Sequence, residues 1–142
     1  MNETAYETQQ SAAAPQRRWP GYVVSALPVL FLVMDGVGKL IKPEPVVTAT
    51  TELGYSESVI MPLGMILLTA VIIYLIPPTA VLGAILLTAY LGGAVATHVR
   101  IGNPLFTHTL FPVYLGIMLW LGLYLRERRL RRLIPLVGRR AE

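Results

Sequence analysis

The sequence predicts an all-α fold, a polytopic four-helix transmembrane bundle with both termini in the cytoplasm. Three observations carry this. Hydrophobic residues make up 54% of the 142-residue chain and charged residues 14%, against about 25% charged in soluble domains. Between Trp19 and Leu125 the basic residues are Lys39, Lys42 and Arg100, and the acidic ones are Asp35, Glu44, Glu52 and Glu57. A stretch so poor in charge cannot face water as a globule, which excludes a soluble enzyme domain. Four apolar segments, at about 20–40, 59–76, 79–99 and 105–125, each approach the roughly 20 residues that a helix needs to cross hydrocarbon.

The elements follow in order. Residues 1–18 are polar and rich in Ala, Gln and Ser, and are expected to be a disordered cytoplasmic segment. Arg17 and Arg18 ahead of an apolar run resemble a signal peptide, but Asp35-Gly36-Val37-Gly38-Lys39 offers no small-x-small cleavage site, so the run reads as the first span. The same residues contain GxG without a preceding strand or third glycine, which excludes a nucleotide loop. The long connection 41–58 holds Pro43 and Pro45, then Val46, Val47, Thr50 and Leu53 at helical spacing, then Gly54. That pattern predicts a short amphipathic surface helix over 44–53 with a glycine stop. Pro77-Pro78 makes spans two and three a tight hairpin, and Arg100–Pro104 joins three and four. The membrane domain is 19–125, and residues 126–142 form a basic cytoplasmic tail.

Charge placement sets the orientation. Arg17, Arg18 and seven tail arginines lie on the side of the termini, nine in all, against Lys39, Lys42 and Arg100 on the other. Positive charge marks the cytoplasmic side. The tail sums to +5 and the rest of the chain to −1, so the basic balance belongs to a membrane flank facing lipid and not to a nucleic-acid partner. The chain has no cysteine. Disulfides, thiolate metal sites, iron–sulfur clusters and cysteine nucleophiles are thereby excluded.

Polar residues inside membrane spans mark candidate sites. Asp35 lies roughly 22 Å along span one at 1.5 Å per residue, with Lys39 at i+4. His98 and Arg100 end span three, His108 sits about one turn into span four, and Tyr90 lies two turns below His98 with Thr97 beside them. Asp35, Lys39, His98, Arg100 and His108 fall at similar depth on the non-cytoplasmic side, and with Tyr90 they form the candidate ligand-binding set. A polar pocket for a quinone headgroup or similar small ligand is one reading; a bis-imidazole haem or metal site would rest on His98 and His108 from adjacent helices, with no carboxylate or sulfur partner. Structural readings stand beside these: an ion pair formed to permit burial, snorkelling cations, and packed histidines. Ala80, Ala84, Thr88, Gly92 and Ala96 recur every four residues and are expected to be a close-packing stripe. Pro112 is expected to kink span four and free the carbonyl of His108, and Trp19 and Trp120 to anchor at the cytoplasmic interface.

Phe31-Leu-Val-Met-Asp-Gly-Val-Gly-Lys-Leu-Ile-Lys-Pro43, Leu53-Gly54, Gly83-Ala-Ile-Leu86, Gly93-Ala-Val-Ala-Thr-His-Val-Arg-Ile-Gly-Asn-Pro104, Pro112 and the Trp120–Arg126 ending together resemble the DoxX-like family of small bacterial membrane proteins. The resemblance implies a four-helix bundle in the bacterial inner membrane. The family takes its name from a subunit of an archaeal thiosulfate:quinone oxidoreductase, which implies membership of a redox or quinone-linked system with a redox partner protein. An alternative is a non-enzymatic anchor or assembly factor, acting through a partner protein or as a homo-oligomer.

Overall fold

A computed structural model describes residues 19–133. The expected segment 1–18 and the end of the tail, 134–142, lie outside the described residues. The rest folds as helices α1 (Trp19–Ile41), α2 (Glu44–Glu52), α3 (Ile60–Leu75), α4 (Ala80–Arg100), α5 (Phe111–Arg126) and α6 (Arg128–Leu133); no strand occurs among the described residues. Four segments are long and apolar enough to cross a membrane: Trp19–Ile41, Glu57–Leu75, Pro77–Arg100 and Leu105–Arg126. Each lies within about two residues of its expected bounds. The surface helix runs over Glu44–Glu52, as its spacing predicts.

The four long helices form an up-and-down ring. α1 packs on α3 and α5, and α4 packs on the same two helices, so α1 and α4 face each other across the diagonal. Leu32, Leu67, Val71, Leu87, Leu115, Leu119 and Leu123 fill the centre. Leu27, Leu30, Met34, Ile66, Ile72 and Ile85 point outward and are exposed. Apolar side chains all round a helix are what a bilayer solvent permits, since every backbone polar group is already satisfied within the helix. The chain enters and leaves at one end of the ring, the terminal end; the connections 42–59 and 101–110 lie at the other, the distal end.

Lipid gives helices little hydrophobic reason to associate, so close backbone packing must supply the contact. Glycines provide it at three seams. A Cβ on Gly122 would lie 2.1 Å from Ser25 Oγ and 2.7 Å from the Gly21 carbonyl, which joins α1 to α5. A Cβ on Gly64 would lie 2.9 Å from the Gly36 carbonyl, which joins α1 to α3. A Cβ on Gly83 would meet the Tyr74 backbone at 2.2 Å, which closes the α3–α4 hairpin. The expected stripe on α4 is not the packing surface: Ala80 and Ala84 are buried, but Thr88, Gly92 and Ala96 are exposed. Four-residue steps turn about 40° beyond a full helical turn each, so the row winds from the core to the membrane face.

Tyr74 ties the four helices together at the terminal end. Its side chain is fully buried, and its hydroxyl donates to the Leu119 carbonyl of α5 at 2.8 Å. That leaves the phenol oxygen to accept from Ser25 Oγ of α1, also at 2.8 Å. The Tyr74 carbonyl accepts from Arg126 Nη2 at 3.2 Å, and the Arg126 guanidinium lies 4.7 Å over the Tyr74 ring and 5.0 Å over that of Tyr22. Arg126 is therefore a buried part of the bundle and not the start of a solvated tail. Leu130 of α6 is buried as well, so the beginning of the expected tail folds back onto the core.

One further expectation changes. Span four is not one helix kinked at Pro112: a π-helical turn over Leu105–Thr109 precedes α5, and Pro112 sits in the first turn of α5, where its missing N–H costs nothing. Trp120 also gains a partner within the bundle, its Nε1 donating to Thr88 Oγ1 of α4 at 2.8 Å.

Tyr74→Phe removes two buried hydrogen bonds and strands the Ser25 hydroxyl, so it is expected to lower stability by about 1–3 kcal/mol, read as a lower thermal midpoint in detergent. In the same assay Gly83→Ala is expected to cost about 3 kcal/mol by driving a methyl into backbone. Gly92→Ala, where a Cβ meets nothing within 4 Å, leaves the midpoint in place. Equal losses at Gly83 and Gly92 would restore the α4 stripe as the packing surface.

Candidate functional site

Two helix ends build the distal site by the same turn. After α2, the Gly54 N–H bonds the Thr51 carbonyl at 2.8 Å and the Tyr55 N–H reaches the Thr50 carbonyl at 3.4 Å, with Gly54 at φ +85°. After α4, the Gly102 N–H bonds the Val99 carbonyl at 3.1 Å and the Asn103 N–H reaches the His98 carbonyl at 3.0 Å, with Gly102 at φ +72°. Both are Schellman caps, in which a left-handed glycine folds the next residue back over the last helical turn. Each cap thereby delivers a polar side chain. Asn103 Nδ2 reaches His98 Nδ1 at 2.7 Å. Tyr55 Oη lies 2.6 Å from Thr97 Oγ1; Thr97 gives its proton to the Gly93 carbonyl at 2.9 Å, so the Tyr55 hydroxyl is the donor.

Between α1, α2, α4 and α5 these turns border a partly open cavity of about 560 Å³. Asp35, Lys39, Tyr90 and His98 line it, with Tyr55, Thr97 and Thr50. Phe31 and Phe111 supply apolar wall, packed edge to face at 5.0 Å between ring centres. The inner side of α2, Pro45, Val46, Ala49 and Leu53, roofs it. The Lys39 ammonium pairs with the Asp35 carboxylate one helical turn away, the acid-before-base order that suits a helix. The two charges cancel at the cavity wall. Lys39 is the better shielded of the two, its side chain 13% exposed against 34% for Asp35.

Arg100 and His108 stand outside the lining. Arg100 donates from Nη2 to the Leu53 carbonyl at 2.7 Å, holding the end of α2 against α4. A Cβ on Gly54 would lie 2.9 Å from that same nitrogen. His108 is exposed; its ring meets that of His98 edge-on, 6.0 Å between centres, and its Nδ1 lies 2.8 Å from Thr107 Oγ1. No group of three or more metal-ligating side chains occurs among the described residues. Arg100 is thus placed to hold the roof, and His108 to back His98.

Sequence reasoning missed Tyr55 and Asn103. Their signal was present: each follows directly on the glycine that ends a helix, and a Schellman cap places that residue over the last turn. The Ser25–Tyr74–Arg126 cluster had no such signal, since it joins residues far apart in the chain.

A sequence model described as the DoxX-like family matches residues 23–122, and the chain belongs to this family. No curated protein and no solved structure matches the chain. The matched stretch covers the four spans up to Gly122, and includes the whole distal site. It is a four-span integral membrane protein.

An amide donating to Nδ1 of His98 leaves the neutral ring with its proton on Nε2. Asn103→Leu removes that constraint and is expected to let the ring populate both tautomers, seen as convergence of its two ring ¹⁵N shifts. Unchanged shifts would show that Asn103 does not set the tautomer.

Proposed function

We propose that this chain is the membrane subunit of a redox or quinone-linked system in a bacterial inner membrane, and that the distal cavity takes the headgroup of its ligand. The carrying observation is the combination of polar groups and aromatic wall lining one cavity. Tyr90 and His98 offer hydrogen bonds, and Phe31 and Phe111 offer flat apolar surface. A quinone ring presents two carbonyl oxygens and two apolar faces, so both kinds of wall find a partner. The cancelling Asp35–Lys39 pair favours an uncharged head, since a phosphate would call for an excess of positive charge.

Quinone chemistry needs electrons as well as protons. The chain has no cysteine, so in this reading a redox partner protein supplies the electrons. This chain binds the ring, orients it, keeps water from its faces, and offers hydrogen bonds to its oxygens. Lys39, Lys42 and Arg100 are the basic residues of the distal end, against nine in the sequence before Trp19 or from Arg126 onward. The termini then face the cytoplasm and the cavity opens toward the outer face.

Binding of 2,3-dimethoxy-5-methyl-1,4-benzoquinone to the purified protein tests this. His98→Ala and Tyr90→Phe are each expected to weaken it about tenfold, the equivalent of one hydrogen bond of about 1.4 kcal/mol. His108→Ala, which removes only the backing ring, is expected to cost less. Affinity unchanged in both histidine variants removes the headgroup site.

A further inference from the structure

A second cavity, of about 540 Å³, adjoins the first. It is a groove on the membrane face between α4 and α5, and Leu91 and Pro112 line both spaces. From Pro112 the groove follows α5 to Tyr124, 12 residues or roughly 18 Å at 1.5 Å per residue. One leaflet of hydrocarbon is about 15 Å deep. At its far end lies Leu130 of α6.

The groove offers a ligand no hydrogen bond from its floor. Two of its three polar side chains satisfy each other: Trp120 Nε1 donates to Thr88 Oγ1, and Thr88 donates to the Ala84 carbonyl at 2.7 Å; the third, Tyr124, lies at the far end. Its depth comes from Gly92 and Gly116. A Cβ on Gly92 meets nothing within 4 Å, and one on Gly116 meets a Leu91 methyl at 3.8 Å. Neither glycine is required by close helix packing, unlike Gly83 or Gly122. A polar cavity opening beside a long apolar groove, with two residues common to both walls, has the shape of an amphiphile.

We infer that the ligand is a single-tailed amphiphile with an uncharged ring head, its head in the distal cavity and its prenyl or alkyl tail in the α4–α5 groove. This rests on the headgroup reading above and adds the tail. A second copy of the chain is a poorer occupant: a whole transmembrane helix would have to pass the end that Leu130 of α6 occupies, whereas a flexible tail can stop there. In this arrangement Leu91 and Pro112 flank the junction of head and tail, and Gly92 and Gly116 set the width of the tail's path.

The test compares the methylated dimethoxybenzoquinone ring with the same ring bearing a decyl tail, on the full chain at fixed detergent concentration. The wild-type protein is expected to bind the tailed compound at least tenfold more tightly. In Gly92→Leu and in Gly116→Leu, measured separately, that ratio is expected to fall at least fivefold. Detergent partitioning of the tail is common to all three proteins and drops out. A tail-end diazirine is expected to label residues 117–124 and to lose that labelling in both variants. If the ratio stays as in the wild type, or the diazirine labels all four helices alike, the tail site is overturned while ring binding keeps the headgroup reading. If neither compound binds, both fall. Chain-to-chain crosslinks through Gly92 and Gly116 would assign the groove to a second copy instead.

Discussion

Tyr74 is where the bundle is fastened. One fully buried side chain reaches α1 through Ser25 and α5 through Leu119, its backbone lies against Gly83 of α4, and its carbonyl holds Arg126. In hydrocarbon such contacts matter more than apolar area, because lipid tails compete equally for leucine. The hydroxyl fixes the relative height of three helices, and the glycine seams fix how near they lie. Arg126 can be buried because the Tyr74 carbonyl accepts a hydrogen bond from it and two aromatic faces lie beneath its charge.

That fastening is at the terminal end, and it leaves the distal end to be built differently. There the helices part around a cavity, and short-range devices close it: two Schellman caps, the Arg100 latch on Leu53 and the Tyr55–Thr97 bond. The division has a physical logic. A tight end keeps the spans in register, while an end closed by turns and single hydrogen bonds can admit a ligand without unpacking the core. The His98–Asn103 contact belongs to this second kind. It depends on the left-handed Gly102, which turns Asn103 back onto the His98 ring.

The sparse charges divide along the same line. Asp35 and Lys39 neutralise each other where the cavity wall is apolar, and Arg100 spends its hydrogen bond on backbone. What remains facing the space is uncharged: two phenols, an imidazole and threonine hydroxyls. A wall of that kind orients a polar ring without demanding a counter-ion.

Much was legible in the sequence because its cause is local. Hydrophobic run length against bilayer thickness gave the four spans; proline and glycine placed the turns and the surface helix; the scarcity of charge singled out Asp35, Lys39, Tyr90 and His98, which do share a cavity. Tertiary structure decided the rest. Which face of α4 packs depended on helical winding, and the four-residue stripe drifted off the core while Gly83 stayed in it. Arg126 read as tail until the fold set it over Tyr74, and the fold set Arg100 on the Leu53 carbonyl and His108 against the His98 ring, outside the cavity lining that holds the other four. A pattern along one chain fixes what each residue can do. Only the approach of another helix fixes which of those things it does.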